Sequence, residues 1–221
     1  MVLSIIKLFF IGFLGFFQTD QPTFKGGKEA LDSFIASKTI YPSFSKNNCI
    51  QGTIYVSFQL NQNGEVFGAK VDKGLGVDLD QEALRLVRLT NNKWDVPTNH
   101  NIKSRIIIPV NFSLKNYDCD LRSQDEVNKA IELYKTRAAL EKVVTNYYKN
   151  KEEGKAIDKN EAEIIQIKAE LGFDDTFISN KIKEAKKMMR QGDKVGACQA
   201  LNFIKNIGSN AAESLIAENC K

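Results

Sequence analysis

The 221-residue chain has a single histidine and four widely spaced cysteines, which are too few clustered soft ligands for a zinc or iron–sulfur site. Its net charge of +4 is spread over 31 basic and 27 acidic residues without a long run of one sign, so an extended nucleic-acid footprint is not indicated. A P-loop, a complete G-x-G-x-x-G and a G-x-S-x-G nucleophile pattern are absent. We therefore predict no metal, no cofactor, no nucleic acid and no small-molecule substrate.

The ionisable residues that a hydrolase would use are isolated. His100 lies between two asparagines with no motif around it, and Asp78 and Asp80 are better explained as helix caps. The sequence therefore predicts that the protein is not an enzyme.

The amino terminus is typical of an exported protein. One positive charge, Lys7, precedes the apolar run Leu8–Phe17, which has the length of a secretory h-region. We predict that residues 1–17 are a signal peptide. No A-x-A-like pair precedes Gln18, so a second interpretation keeps the segment as a short membrane anchor, although Val2–Phe17 falls short of the ~20 apolar residues that span a bilayer.

Residues 22–117 mix helical and alternating patterns. Apolar residues at helical spacing predict a helix over Gly27–Ser37 that ends before Tyr41-Pro42. Strict alternation predicts a strand over Thr53–Leu60 and, after the turn residues Asn61–Gly64, a second strand over Glu65–Val71. A helix beginning at Asp78 or Asp80 and a third strand over Arg105–Leu114 follow.

Pro109 sets the position of the third strand. Proline has no N–H for a sheet ladder and is confined to edges or bulges, so we expect this strand at an edge, in the order second, first, third. Cys49 precedes the first strand and Cys119 follows the third, and this order brings the two cysteines together. The predicted fold class is α+β, with a three-stranded antiparallel sheet and two helices on its apolar face.

An ordered set of motifs along this region resembles the TonB C-terminal domain. The set runs over residues 24–114 and comprises Phe24-Lys25-Gly26-Gly27, Tyr41-Pro42, Gly52, Asn63-Gly64, Gly74, the helix from Leu79 to Leu84, Trp94 with Pro97, and Ile108–Phe112. The resemblance implies a periplasmic module that pairs its edge strand with an extended segment of an outer-membrane receptor and passes on force generated at the inner membrane.

Strand addition gives that resemblance a physical basis, because an exposed edge supplies main-chain hydrogen bonds to a partner. We predict Arg105, Ile107, Pro109, Asn111 and Ser113 as partner-binding residues. From the residues alone an equally weighted alternative remains, in which Pro109 protects the edge from unwanted pairing.

Force transduction across the periplasm requires a long proline-rich spacer, since polyproline extends by ~3.1 Å per residue. Only Gln18–Thr23, with one proline, separates the apolar run from the predicted domain. This spacing favours a reused interaction module over an energy transducer, which we keep as the alternative.

Residues 121–221 contain no proline and no convincing strand, so we predict an all-α region. Helices are expected from Gln124 to about Lys149, after Asp158, after Asp174 or Asp175, over Asp193–Asn206 and over Asn210–Asn219. Cys198 and Cys220 lie on either side of Gly208, and in antiparallel helices they would be nearly level. We therefore predict the disulfides Cys49–Cys119 and Cys198–Cys220, with four free thiols as the alternative.

Three functions remain open at this stage. The first is an exported module that binds a periplasmic or outer-membrane protein by its edge strand. The second is a membrane-anchored TonB-like energy transducer. The third is an adaptor that binds through its helical region, with the sheet region as a spacer.

Overall fold

A computed structural model of the protein describes residues 21–115, 117–155 and 160–220. In the first region the helices are α1 (Gly27–Lys38), α2 (Ser43–Asn47) and α3 (Asp78–Arg88), and the strands are β1 (Thr23–Phe24), β2 (Gly52–Leu60), β3 (Val66–Lys73), β4 (Trp94–Asp95) and β5 (Ile106–Phe112). The predicted signal peptide, residues 1–17, lies outside the described residues.

The three longer strands form an antiparallel sheet in the order β3-β2-β5, which confirms the predicted fold class and strand order. β2 is central because alternate side chains face a dry core: Ile54, Val56, Phe58 and Leu60 are fully buried. Between β2 and β5 the register runs without a shift from Gly52 opposite Phe112 to Phe58 opposite Ile106. An interruption-free ladder positions every residue of the edge strand.

Two small elements escaped the sequence analysis. β1 pairs with β4 in a separate ladder of two residues each, Thr23 with Asp95 and Phe24 with Trp94. The five-residue helix α2 begins directly after Pro42. Segments this short do not complete a period of alternation or of helical spacing, so no sequence pattern marks them.

The core of the first region lies between the sheet and helices α1 and α3 on one of its faces. Leu79, Ala83, Leu86 and Val87 of α3 are fully buried, as the spacing of its apolar residues predicts. Trp94 stacks against the Phe58 ring with centroids 5.2 Å apart and lies edge-on to the Phe24 ring. The hairpin that precedes it depends on Gly64, which has φ +77° and no room for a Cβ, since that atom would lie 2.7 Å from the carbonyl oxygen of Trp94.

Asp78 and Asp80 do not cap α3 with their side chains, contrary to expectation. Asp80 accepts hydrogen bonds from the backbone N–H groups of Leu75 and Gly76, at 3.0 and 2.9 Å, and so closes the loop before the helix. Asp78 accepts from the hydroxyl of Ser45 in α2. The short helix α2 supplied a partner that the sequence did not reveal, and both carboxylates are structural.

The second region is all-α, as predicted. It comprises α4 (Gln124–Glu152), α5 (Glu161–Glu170), α6 (Asp175–Arg190), α7 (Lys194–Asn206), a short 3₁₀ turn (Asn210–Ala212) and α8 (Glu213–Asn219). Asp174 accepts from the N–H of Phe177 and Asp193 from that of Gly196, so both cap their helices. The expected cap of the second helix predicted in this region, Asp158, lies outside the described residues.

The structure pairs Cys49 with Cys119 and Cys198 with Cys220, with Cα atoms 5.6 and 5.5 Å apart. These are the two pairs that strand order and helix geometry predict. The first bridge ties the start of β2 to the chain that leaves β5, and the second ties α7 to the end of α8.

Helix α3 also joins the two regions. At its last residue, Arg88 donates from Nε and Nη2 to the Asp193 carboxylate, at 2.6 and 3.0 Å, and the Asp193 side chain is fully buried. Gly196 makes this approach feasible, because a Cβ there would lie 2.7 Å from Arg88 Nη2. One carboxylate therefore caps α7 and binds the first region at the same time.

Apolar packing extends the contact between the regions. Ala130 of α4 is buried in the core of the first region, and the Tyr134 ring lies 4.9 Å from the Phe44 ring of α2. Burial raises the pKa of Tyr134 to about 12, with Asp78 adding to the rise.

Among the described residues, no helix combines the length and the hydrophobicity that crossing a membrane requires.

We predict that Asp193→Ala lowers the free energy of unfolding by about 3–5 kcal/mol, because it leaves Arg88 buried without its counter-charge and removes a helix cap. Urea denaturation followed by circular dichroism measures the loss. Asp175→Ala is the matched control, since Asp175 is an exposed residue of the first turn of α6, and we expect it to cost less than about 1 kcal/mol. Equal effects of the two substitutions would contradict the assignment of Asp193 as the link.

Candidate docking edge

Within the described ranges, β5 is paired along one side only. It lies at the end of the three-stranded sheet, with β2 as its neighbour on the inner side. An edge strand of seven residues leaves a row of main-chain N–H and C=O groups available for another extended chain. The edge strand that the sequence analysis predicted over Arg105–Leu114 is therefore present, over the slightly shorter span of β5.

Pro109 determines which backbone groups face the free side. It lies opposite Tyr55 in an unshifted register, and a residue without an N–H fits such a ladder where that position points away from β2. Alternation then turns the N–H groups of Ile107 and Asn111 to the free side as well. The free rim thus offers two donors flanking one proline, whose carbonyl still accepts.

Side chains at the same positions line the face of the sheet opposite the helices. Ile107 is 56% exposed, although it lies between the half-buried Ile106 and the buried Ile108 on the strand. Tyr55, opposite Pro109, is 39% exposed, and Thr53 donates a hydrogen bond of 3.1 Å to the Asn111 side chain. An added strand would meet a mixed apolar and polar face at these positions.

Two of the predicted partner-binding residues lie just beyond the ends of β5. Ser113 is exposed and follows the last residue of the strand, and the N–H of the next residue, Leu114, is already bound to the Gln51 side chain at 2.6 Å. At the other end, Arg105 precedes the strand. The continuous pairing rim is therefore Ile106–Phe112.

The Arg105 side chain forms hydrogen bonds within the chain. Its guanidinium crosses the open face of the sheet and donates to Ser57 Oγ at 2.8 Å, to the Ser57 carbonyl at 3.1 Å and to the Gly68 carbonyl at 2.7 Å. This side chain braces β2 and β3 from the start of β5, so its first role is to hold the edge strand in place.

Ser57 forms the centre of a polar group on this face. Its hydroxyl donates to the Asp72 carboxylate at 2.9 Å, and this hydrogen bond is the main reason that the pKa of Asp72 is below its ordinary value. Lys70 and Arg105 lower it further. The alternation over Thr53–Leu60 turns Tyr55 and Ser57 away from the apolar face of the strand, but it does not link them to the edge, because that link needs the β2–β5 register.

The residues considered for catalysis are not assembled into a site. Asp78 and Asp80 are engaged in the loop and α2 contacts described above. His100 is 9% exposed, its Nε2 has no hydrogen-bond partner within the described ranges, and its carbonyl accepts from Gln62. The side chain is consequently packed inside the fold.

Together these features define a class of protein: an α+β domain that covers one face of a three-stranded sheet with helices and whose edge strands, β3 and β5, are each paired on one side only within the described residues. Residues 37–114 match the model of the family described as Gram-negative bacterial TonB protein C-terminal. This part of the chain is therefore a domain of the TonB C-terminal family, as the resemblance predicted. The match begins at the end of α1, so the motif Phe24–Gly27 lies outside it.

One solved structure that the chain resembles is the NMR structure of the Helicobacter pylori TonB C-terminal domain, with 28% identity over 39% of this chain and 92% of that chain, and a TM-score of 0.34. No curated protein matches the chain.

We predict that Ser57→Ala raises the pKa of Asp72 toward its ordinary value, because the hydroxyl donor to the carboxylate is lost. NMR titration of the side-chain carboxyl carbon measures it. A carboxylate whose pKa is lower in the folded than in the unfolded state stabilises the fold at pH values above the unfolded pKa, and this stabilisation is lost as the pH falls through the folded pKa. The free energy of unfolding of the variant should therefore fall less on acidification than that of the unchanged protein. Thr53→Ala on the same face is the control and should leave the Asp72 titration unchanged; a shift of equal size there would count against the Ser57 assignment.

Proposed function

We propose that the protein is an exported interaction module of the cell envelope that binds a periplasmic or outer-membrane protein by adding an extended segment of it to β5. The observation that carries the proposal is the open rim of β5 in a domain of the TonB C-terminal family. No reaction is part of the proposed function.

The edge has the properties that strand addition needs. Ile107 and Asn111 offer N–H donors, and the unshifted register with β2 holds them in line. Side chains of the added strand that point to the open face would contact Ile107 and Tyr55, whose exposure leaves room for them. Main-chain hydrogen bonds would supply affinity, and this face would select the partner's alternate residues.

Pro109 restricts the pairing without abolishing it. At the centre of the rim Pro109 has no N–H to donate to a partner strand. The backbone carbonyl of the partner that lies opposite Pro109 therefore receives no hydrogen bond from β5. The same residue discourages extended self-pairing, since two such edges would lose hydrogen bonds at their centres. We infer an edge open to a selected segment and protected against indiscriminate association.

Export is supported by the cysteines. Both predicted pairs are joined, and disulfides persist in oxidising compartments such as the periplasm. The proposed arrangement is a signal peptide at residues 1–17, a TonB C-terminal domain within residues 22–117 and a helical region from 121 to 221. Anchoring at the inner membrane, with a role in energy transduction, is the alternative.

We expect the four cysteines to be oxidised in cells. Acid quenching of intact cells followed by labelling with a thiol-reactive polyethylene glycol should modify the protein only after reduction. N-terminal sequencing of the same protein should give a start near Gln18. Four thiols that react without reduction would contradict export, and a retained amino terminus with oxidised cysteines would favour the anchored alternative.

Crosslinking in intact cells tests the docking edge. With a photoreactive residue at Ile107 or at Asn111, we expect an adduct with one envelope protein, because both positions lie beside the added strand. Leu133, which is 69% exposed on α4, is the control position and should give no such adduct. In the Ile107 crosslinking protein, an added Asn111→Pro substitution removes an outward N–H and should reduce the adduct several-fold.

The crosslinking result separates the proposed functions. Adducts from Leu133 but not from the edge would contradict strand addition and favour an adaptor that binds through its helices. An Ile107 adduct that is insensitive to Asn111→Pro would contradict main-chain pairing while leaving a side-chain contact at this face.

A further inference from the structure

An open groove of about 690 Å³ runs between the second half of α4 and the length of α7, in the helical region. The two helices are held on either side of it by an ion pair between Lys205 and Glu152 and by the Tyr148 ring, which lies against Gly208. The groove is distinct from the β5 rim, since none of the residues that line it belongs to the first region.

The groove is electropositive. Lys149 enters from α4 and Lys194 from the first turn of α7, and neither forms an ion pair with the described residues. Among the described residues that line the groove there is no carboxylate. Two uncompensated ammonium groups over one concave surface favour an anionic ligand.

Carboxamides and the Thr145 hydroxyl supply the rest of its polar surface. Gln199, Asn202 and Asn206 follow one another at helical spacing on α7, and Asn146 faces them from α4. Each carboxamide offers both a donor and an acceptor, which is what the alternating N–H and C=O groups of a peptide require. The Asn202 Nδ2 already donates to the Cys198 carbonyl at 2.8 Å, so its oxygen is left as an acceptor.

Two apolar side chains and the Cys198–Cys220 disulfide add a hydrophobic component to the lining. Val195 is 56% exposed, and Phe203 is partly buried with its ring 5.6 Å from that of Phe173. Over the span from Lys194 to Asn206, α7 rises by ~18 Å at ~1.5 Å per residue, and an extended peptide covers that length with about five to six residues at ~3.3 Å each.

We propose that this groove binds an extended acidic peptide segment of a partner protein. Its carboxylates pair with Lys149 and Lys194, its backbone bonds to the carboxamides, and an apolar side chain rests on Val195 and Phe203. The protein then has two binding surfaces, one that pairs with main chain at β5 and one that reads charge on the helical region.

Fluorescence anisotropy tests the proposal on the intact chain. The probe is a fluorescein-labelled hexapeptide in which glutamate alternates with leucine, and the comparison peptide carries glutamine in place of each glutamate. We expect Lys149→Glu with Lys194→Glu to weaken binding of the acidic peptide by about ten-fold or more, since two attractions become repulsions.

The matched control is Lys186→Glu with Lys187→Glu, which makes the same change in net charge on exposed residues of α6 outside the groove. It should alter binding by no more than about two-fold. Circular dichroism checks that both variants keep the fold, and a third variant, Asn202→Leu, weakens binding without changing the charge.

Equal affinity for the glutamine peptide, equal losses in the two lysine variants, or no binding of the acidic peptide would each overturn the proposal. Vesicles of phosphatidylglycerol and phosphatidylethanolamine distinguish another source of anionic groups. If they bind through Lys149 and Lys194 while the peptide does not, the groove is a lipid site and the peptide assignment is wrong.

Discussion

The unshifted antiparallel pairing of β5 with β2 is the constraint on which the rest of the first region depends. It sends Ile108, Val110 and Phe112 into the core while Ile107, Pro109 and Asn111 remain outside. A slip of one residue would reverse every one of these positions. Pro109 would then occupy a position where the ladder with β2 needs an N–H, and Ile108, Val110 and Phe112 would face the solvent. The same register brings the chain that follows β5 back to the start of β2, where Cys119 meets Cys49. Core, docking rim and disulfide are therefore consequences of one ladder.

Helix α3 is the second organising element. Its apolar face packs on the sheet, and its arginine side chains bind α1 and the helical region. Arg85 binds Glu82 within the helix and donates to the Lys38 carbonyl at the end of α1, at 2.6 Å. Arg88 continues outward to the buried carboxylate of Asp193. Buried ion pairs of this kind add little net stability over apolar packing, but breaking one is costly, so they specify a particular arrangement. The helical region is held against the TonB C-terminal domain by such specific contacts and by Tyr134 on Phe44.

With the two proposed binding surfaces, one protein carries two different recognition chemistries. In the proposed function, the β5 rim pairs its main-chain groups with a selected extended segment that accommodates the missing donor at Pro109. The proposed binding in the groove between α4 and α7 relies instead on Lys149, Lys194 and the carboxamides. A partner with an extended segment and a nearby acidic stretch would satisfy both surfaces, and linking the two contacts would raise the overall affinity above that of either one.

Local patterns in the sequence determined the type and order of the long elements. The alternation in Thr53–Leu60 and Arg105–Leu114 identified strands because one face of each is buried, and Pro109 alone indicated which strand lies at the edge. Strand order paired Cys49 with Cys119, and the helical spacing about Gly208 paired Cys198 with Cys220. Tertiary structure decided what depends on residues far apart in the chain: the partner of Asp78, the use of Arg105 as a brace, the joining of Arg88 to Asp193, and the groove along α7. These contacts join elements separated by tens of residues. The position of a charged side chain in the sequence does not indicate which distant residue it will bind, because charge shows no local periodicity of the kind that marks helices and strands.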